Sequence, residues 1–191
     1  NVDAGSDTVT DLATGDVLKV LAGATATVND VAAFVATALT SNAGTATLNA
    51  ASAGGAIDMR LASGTAGFAL IGGAGVDTLI GSKLNDTLTG GAGDTLTGFG
   101  GIDTYNITGG TVSVTDLGLG GAGVLKVSAG ATVNATVTAA WTATSATQNL
   151  GTANIETKGL AVNLALADAV TANAKGFTVT NTASTATTLT G

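Results

Sequence analysis

The feature that most constrains this chain is a run of four short units between Gly72 and Asn106: GGAGVDTLI, GSKLNDTLT, GGAGDTLT and GFGGIDTYN. Each opens on glycine and carries an aspartate further on (Asp77, Asp86, Asp94, Asp103). An apolar residue follows two places later (Leu79, Leu88, Leu96, Tyr105). A period near nine is far longer than a helical turn and too regular for a loop. It predicts a coil of turn plus short strand, stacked on copies of itself, with the apolar residue pointing into a narrow core.

The glycines account for the turns, because Gly-Gly and Gly-x-Gly reach the positive φ that tightly stacked turns need. The aspartates account for what the turns hold. One coil takes two units, so Asp77 is predicted to lie over Asp94 and Asp86 over Asp103. Carboxylates stacked about 5 Å apart along a sheet repel unless a cation lies between them. Glycine turns also leave main-chain carbonyls free, so the donor set predicts a hard, oxygen-liganded cation, calcium. The competing reading is a set of glycine turns capped by aspartates, with no ion.

GGAGVDTLI matches the hemolysin-type calcium-binding nonapeptide, the RTX repeat G-G-x-G-x-D-x-U-x, at every defined position, and the stretch resembles that family. The neighbours depart from the pattern. GSKLNDTLT lacks the second and third glycines, GGAGDTLT is one residue short, and GFGGIDTYN has shifted glycines. The resemblance implies a parallel β-roll with calcium between successive turns, in a secreted bacterial protein exported by type I secretion. Carried onto this sequence, it makes Asp77, Asp86, Asp94 and Asp103 the candidate side-chain ligands. The turn positions Gly72, Ala74, Val76, Asn85, Gly91, Gly93, Gly100 and Ile102 complete the candidate metal site.

Composition narrows the alternatives. Apolar residues make up 45% of the 191, yet only 3% are aromatic and much of the rest is alanine. Such a chain suits the thin, repetitive core of a solenoid better than a bulky globular one. Proline is absent, which keeps every ladder donor available. A net charge of −7 and the lack of any basic patch exclude nucleic acid as a partner. No apolar run reaches the length of a membrane span, which argues against membrane insertion. With no histidine or cysteine, His-based triads and Cys or His metal sites are impossible. Gly118, Gly120 and Gly123 spell G-x-G-x-x-G, but a strand pattern follows where a dinucleotide site needs a helix. The chain is read as a non-enzyme.

The chain also repeats itself. Val9-Thr10-Asp11-Leu12 recurs as Val114-Thr115-Asp116-Leu117, and Val17-Leu18-Lys19-Val20 as Val124-Leu125-Lys126-Val127. Asn1-Val2 corresponds to Asn106-Ile107. The expected organisation is therefore one unit of about 105 residues (1–105, including the block 72–106) followed by a second (106–191) without its own block. Both would belong to a longer tandem array. Within a unit, residues 7–12 and 16–21 are predicted as two strands across the turn Ala13-Thr14-Gly15. Residues 45–50, 55–61 and 65–71 are predicted as strands, with 152–157, 160–166 and 176–181 in the second unit. Val31, Phe34, Val35, Ala38 and Leu39 follow i, i+3, i+4, i+7, i+8, which predicts an amphipathic helix over Val28–Leu39; Val137, Ala140 and Trp141 suggest its counterpart.

The fold class expected is all-β: an elongated parallel β-roll or β-solenoid of tandem units, with one short helix per unit. The function expected is a calcium-dependent structural module of a secreted cell-surface protein, of the S-layer or extracellular filament kind. Its partners would be calcium ions, neighbouring copies of itself and cell-surface polysaccharide. The rivals are a repeat of a giant adhesin that binds glycan or ice, and the calcium roll of a secreted hydrolase or epimerase.

Overall fold

The computed structural model describes residues 1–168 and 172–191. Among these the chain is all-β and winds as a parallel β-solenoid. Two eight-stranded parallel sheets run the length of the coil. A three-stranded sheet forms a third wall towards each end: Lys19–Val20, Ser41–Asn42 and Ser63–Gly64 at one, Trp141–Thr142, Val162–Asn163 and Leu189–Thr190 at the other. The central nonapeptide strands, Thr78–Ile80, Thr87–Gly90, Thr95–Thr97 and Thr104–Ile107, belong only to the two large sheets, so the coil there is two-sided.

Alternation along each strand sends every second side chain inward, and parallel register stacks like on like. In one sheet the inward column is Val28, Leu48, Leu70, Leu88, Tyr105 and Leu125. In the other it is Phe34, Ile57, Leu79, Leu96, Val114, Ala135 and Ile155. All are buried. Each such leucine contributes about 1.5–3 kcal/mol relative to an exposed one. The four apolar residues expected from the nonapeptides thus form two facing pairs, Leu79 with Leu96 and Leu88 with Tyr105. The outward positions are mostly threonine, asparagine and serine.

The expected helix is absent: no helix occurs among the described residues. Val28–Leu39 is instead the end of the strand Thr25–Val31, a corner, the strand Ala33–Val35 and a turn. Strand register slips between Val28 and Val31, with Asp30 at φ 60°. That corner adds a residue to the two-residue alternation, so Val28, Val31 and Phe34 fall three apart and imitate a helical period. Val31, Phe34 and Ala36 are buried, whereas Val35 and Leu39 are 45% and 62% exposed. In the second stretch Val137 and Trp141 are buried and Ala140 is exposed.

The strands foreseen at 7–12 and 16–21 also differ from expectation. They reduce to Ser6–Val9 and Lys19–Val20, which lie in different sheets and do not pair with each other. Ser6–Val9 runs parallel to Thr25–Val31, and Asp16 serves as a turn residue, accepting the N–H of Ala13 at 2.8 Å. The predicted strands at 45–50, 55–61 and 65–71 contain Thr45–Ala50, Ala56–Asp58 and Phe68–Ile71, and those at 152–157, 160–166 and 176–181 contain Thr152–Glu156, Val162–Asn163 and Phe177–Thr180.

Several side-chain contacts occur twice along the chain. Buried Asn42 donates to Gly67 O at 2.6 Å and accepts from Gly44 N at 3.1 Å. Buried Asn149 does the same with Gly176 O at 2.9 Å and Gly151 N at 3.0 Å. Asn49 donates to Asn29 Oδ1, and Asn154 donates to Asn134 Oδ1.

The corner geometry separates two adjacent residues that a helix would place on one apolar face. Phe34→Ala is expected to lower unfolding free energy by about 3–5 kcal/mol in urea titration. Val35→Ala is expected to change it by less than about 0.5 kcal/mol.

Candidate metal centre

The nonapeptide turns stack in two columns along opposite edges of the coil. One column contains Gly73–Val76 and Gly91–Gly93; the other contains Ser82–Asn85 and Phe99–Ile102. Glycine is required where these turns approach each other. A Cβ on Gly75 would sit 2.2 Å from the nitrogen of Gly54, and one on Gly101, at φ +92°, would sit 2.3 Å from the oxygen of Leu84.

Behind the turns the four aspartates are buried, each no more than 2% exposed. The stacking inferred from the spacing is present: the N–H of Asp77 donates to Asp94 Oδ1 at 2.8 Å, and that of Asp86 to Asp103 Oδ1 at 2.9 Å. Asp77 also accepts from Gly55 N at 2.6 Å and Gly73 N at 2.8 Å. Asp86 accepts from Phe68 N at 2.7 Å, Ser82 N at 2.5 Å and Ser82 Oγ at 2.9 Å, so the serine that replaces a glycine adds a hydroxyl donor. Asp94 takes Gly91 N at 2.7 Å. The third unit's missing residue is absorbed here, since Asp94 reaches three residues back where Asp77 and Asp86 reach four. The inward register of Leu96 on Leu79 is unaffected.

The fourth unit is different. Its shifted glycines put Phe99 at φ 73°, and the N–H groups of Gly98 and Phe99 turn to Asp116 Oδ1 and Oδ2 at 2.9 and 2.7 Å. Asp116 also accepts from the Tyr105 hydroxyl at 2.9 Å. Asp116 is thus a fifth buried carboxylate of the row, absent from the sequence-derived set. The signal for it was the repeated Val-Thr-Asp-Leu, which marked a repeat without revealing that its aspartate faces the last nonapeptide turn. Asp103 loses the turn donors and keeps the N–H of Asp86.

No cation offsets this row: the one ion pair among the described residues is Arg60 with Asp58 at 2.6 Å. Burial therefore raises the carboxyls of Asp86 and Asp94 above the ordinary range. Asp103 is pushed up to about 8, by burial first and then by the neighbouring charges of Asp86 and Asp116, against the lowering effect of the Asp86 N–H. Burial likewise raises the Tyr105 phenol.

The remaining candidate positions lie on the turns. Ala74, Val76, Gly93 and Ile102 are exposed and Gly72, Gly91 and Gly100 half-buried. Among the described residues no protein hydrogen bond reaches the carbonyls of Ala74, Val76, Gly93, Gly100 or Ile102. Asn85 is committed elsewhere, its Oδ1 accepting from Ile102 N at 2.7 Å. Asp77 Oδ2 and Asp94 Oδ2 converge over Gly72, where a Cβ would meet them at 3.0 and 2.4 Å. No group of three acidic side chains gathers around one point among the described residues. The donor set consequently fits a hard cation shared between paired carboxylates and free turn carbonyls, and does not fit an all-carboxylate cage.

Comparison with protein-family models, curated proteins and solved structures returned no match. Among the described residues no helix is long and apolar enough to cross a membrane.

The raised carboxyls set a pH dependence for the metal-free protein. A folded-state pKa near 8 against an ordinary 3.8 means that the folded state holds a proton that the unfolded state has released between those values. Stability with chelator present is therefore expected to fall as pH rises from about 4 to about 8, by up to about 1.4 kcal/mol per pH unit for one proton. Asp103→Asn is expected to flatten that slope in urea titrations across the range.

Proposed function

We propose that the chain is a calcium-ordered structural module of a secreted bacterial surface protein, built of hemolysin-type nonapeptide turns set between longer three-sided coils. The observation that carries this reading is the row of buried carboxylates without a cationic partner, backed by turn carbonyls that no protein group satisfies. Asp77, Asp94, Asp86 and Asp103 already order the main chain by accepting N–H groups from their own and adjacent coils. Ala74, Val76, Gly93, Gly100 and Ile102 would add carbonyl oxygens from the exposed side. Calcium bound there would neutralise the stacked charge and supply several oxygen contacts at once.

The glycine turns prepare this arrangement. Gly72 keeps open the space into which both Oδ2 atoms of Asp77 and Asp94 reach. At low calcium the acidic row weakens the coil, which suits a chain exported before it folds. At extracellular calcium the ions' binding energy becomes folding energy, because the unfolded chain lacks the site. A scaffold, rather than a catalyst, follows from the absence of histidine and cysteine and the use of the aspartates in the turns.

One observation favours a second reading, an adhesin repeat whose sheet face meets glycan or ice. Parallel register aligns Thr8, Thr27 and Thr47 in one outward column and Ser6, Thr25 and Thr45 in the next. If that face acts, Thr27→Val is expected to reduce ice or glycan binding without changing stability, as read by thermal hysteresis or a glycan array.

The calcium reading is tested by circular dichroism and thermal unfolding during calcium titration of chelated protein. Calcium at about a hundred times its Kd is expected to add about 2.7 kcal/mol per ion. The double variant Asp77→Asn with Asp94→Asn is expected to lose that part of the gain. An identical β signal and Tm in chelator and in millimolar calcium would end the proposal.

A further inference from the structure

The last nonapeptide turn meets the coil that follows it through a defined set of contacts. The strand Thr95–Thr97 pairs with Thr111–Leu117, and Thr104–Ile107 pairs with Val124–Val127. Asp116 grips the N–H groups of Gly98 and Phe99 and the hydroxyl of Tyr105. Val112, Val114 and Leu117 are fully buried beneath them, and Asp116 is 6% exposed.

The same surface exists a second time, at the other end of the coil. Val9-Thr10-Asp11-Leu12 repeats Val114-Thr115-Asp116-Leu117. The strand Ser6–Val9 pairs with Thr25–Val31 as Thr111–Leu117 pairs with Thr132–Val137, Ser6 on Thr25 matching Thr111 on Thr132. An isolated parallel bridge joins Val2 to Val20, the counterpart of Ile107 on Val127. Only the covering coil is missing. Ser6–Val9 ends its sheet with one edge unpaired, and Asp7 and Asp11 are exposed. A groove of about 450 Å³ opens there, lined by Asp7, Val9, Asp11, Leu12 and Leu18 among others.

We propose that this end face, formed by Ser6–Val9, Asp11 and Leu12, is a docking surface for a glycine–aspartate coil of the Gly90–Tyr105 type joined ahead of Asn1 in the same polypeptide. The occupant is specified by the counterpart interface: a strand edge to pair with Ser6–Val9, and two free turn N–H groups for the Asp11 carboxylate. Attachment in the same polypeptide follows from register, because Asn1 and Val2 already stand where Asn106 and Ile107 continue the last nonapeptide strand. Open parallel edges invite pairing with other chains, and a covering coil removes that hazard. The inference rests on the reading of the chain as a structural repeat, and it adds that nonapeptide blocks are the joints between repeats.

The test compares the chain with an extended form carrying a second copy of residues 72–105 directly before Asn1, both in the same millimolar calcium. Hydrogen exchange of the Ser6–Val9 amides is expected to slow at least about tenfold in the extended form, as for strands moved from an edge to an interior. Asp11→Ala is expected to leave unfolding of the original chain unchanged and to speed exchange at the added copies of Gly98 and Phe99. Asp116→Ala in the original chain gives the reference effect at Gly98 and Phe99 themselves. Equal exchange of Ser6–Val9 in both forms overturns the proposal. So does an added block that stays unfolded, since the same sequence folds against Asp116. Failure of the calcium reading would show separately, in the titration of the unextended chain.

Discussion

The whole coil depends on one interaction: main-chain N–H groups of tight glycine turns donated to buried aspartate carboxylates. A solenoid turn leaves backbone donors at every corner, and burying them unpaired would cost about 1–3 kcal/mol each. Asp77, Asp86, Asp94 and Asp116 each satisfy two or more donors, from their own turn or from the adjacent coil. Each aspartate is therefore both a cap and a tie between layers. The arrangement concentrates negative charge in the interior without a basic partner, so what stabilises the turns also destabilises the row. Protons or a bound cation resolve that conflict, and the raised carboxyl of Asp103 marks where it is sharpest.

Asparagine performs the neutral version of the same task in the three-sided coils. Asn42 and Asn149, both fully buried, each bridge a corner N–H and a carbonyl of the next coil. The chain thus uses two corner chemistries. Asparagine closes a corner outright, with both donor and acceptor capacity used inside the protein. Aspartate closes the donors and leaves charge for something else to answer. The charged corners are confined to the two-sided stretch and its junction with the following coil, which is where an ion could regulate assembly.

Much of this was legible in the residues. Glycine, aspartate and leucine recurring at a near-nine spacing implied stacked turns, and the inward pairing of Leu79 with Leu96 and Leu88 with Tyr105 followed from two units per coil. The stacking of Asp77 on Asp94 and Asp86 on Asp103 followed from the same count. The corner at Asp30 misled because one inserted residue converts a period of two into an apparent helical spacing. Ser6–Val9 and Lys19–Val20 misled because a short turn between two apolar runs fits a hairpin and a solenoid corner equally well; the difference lies in partners 19 and 22 residues away.

By itself, then, the sequence determined the repeating element and the direction of its side chains, because both are local consequences of glycine freedom and strand alternation. It also determined that any chemistry here would use oxygen ligands. Only the tertiary structure decided which donors each carboxylate receives. Asp116 joins the row, and Asp103 goes short, because the shifted glycines of the fourth turn aim its N–H groups at the next coil. Such choices are made between residues 17 or 18 positions apart, where pairing register, not local preference, sets who meets whom.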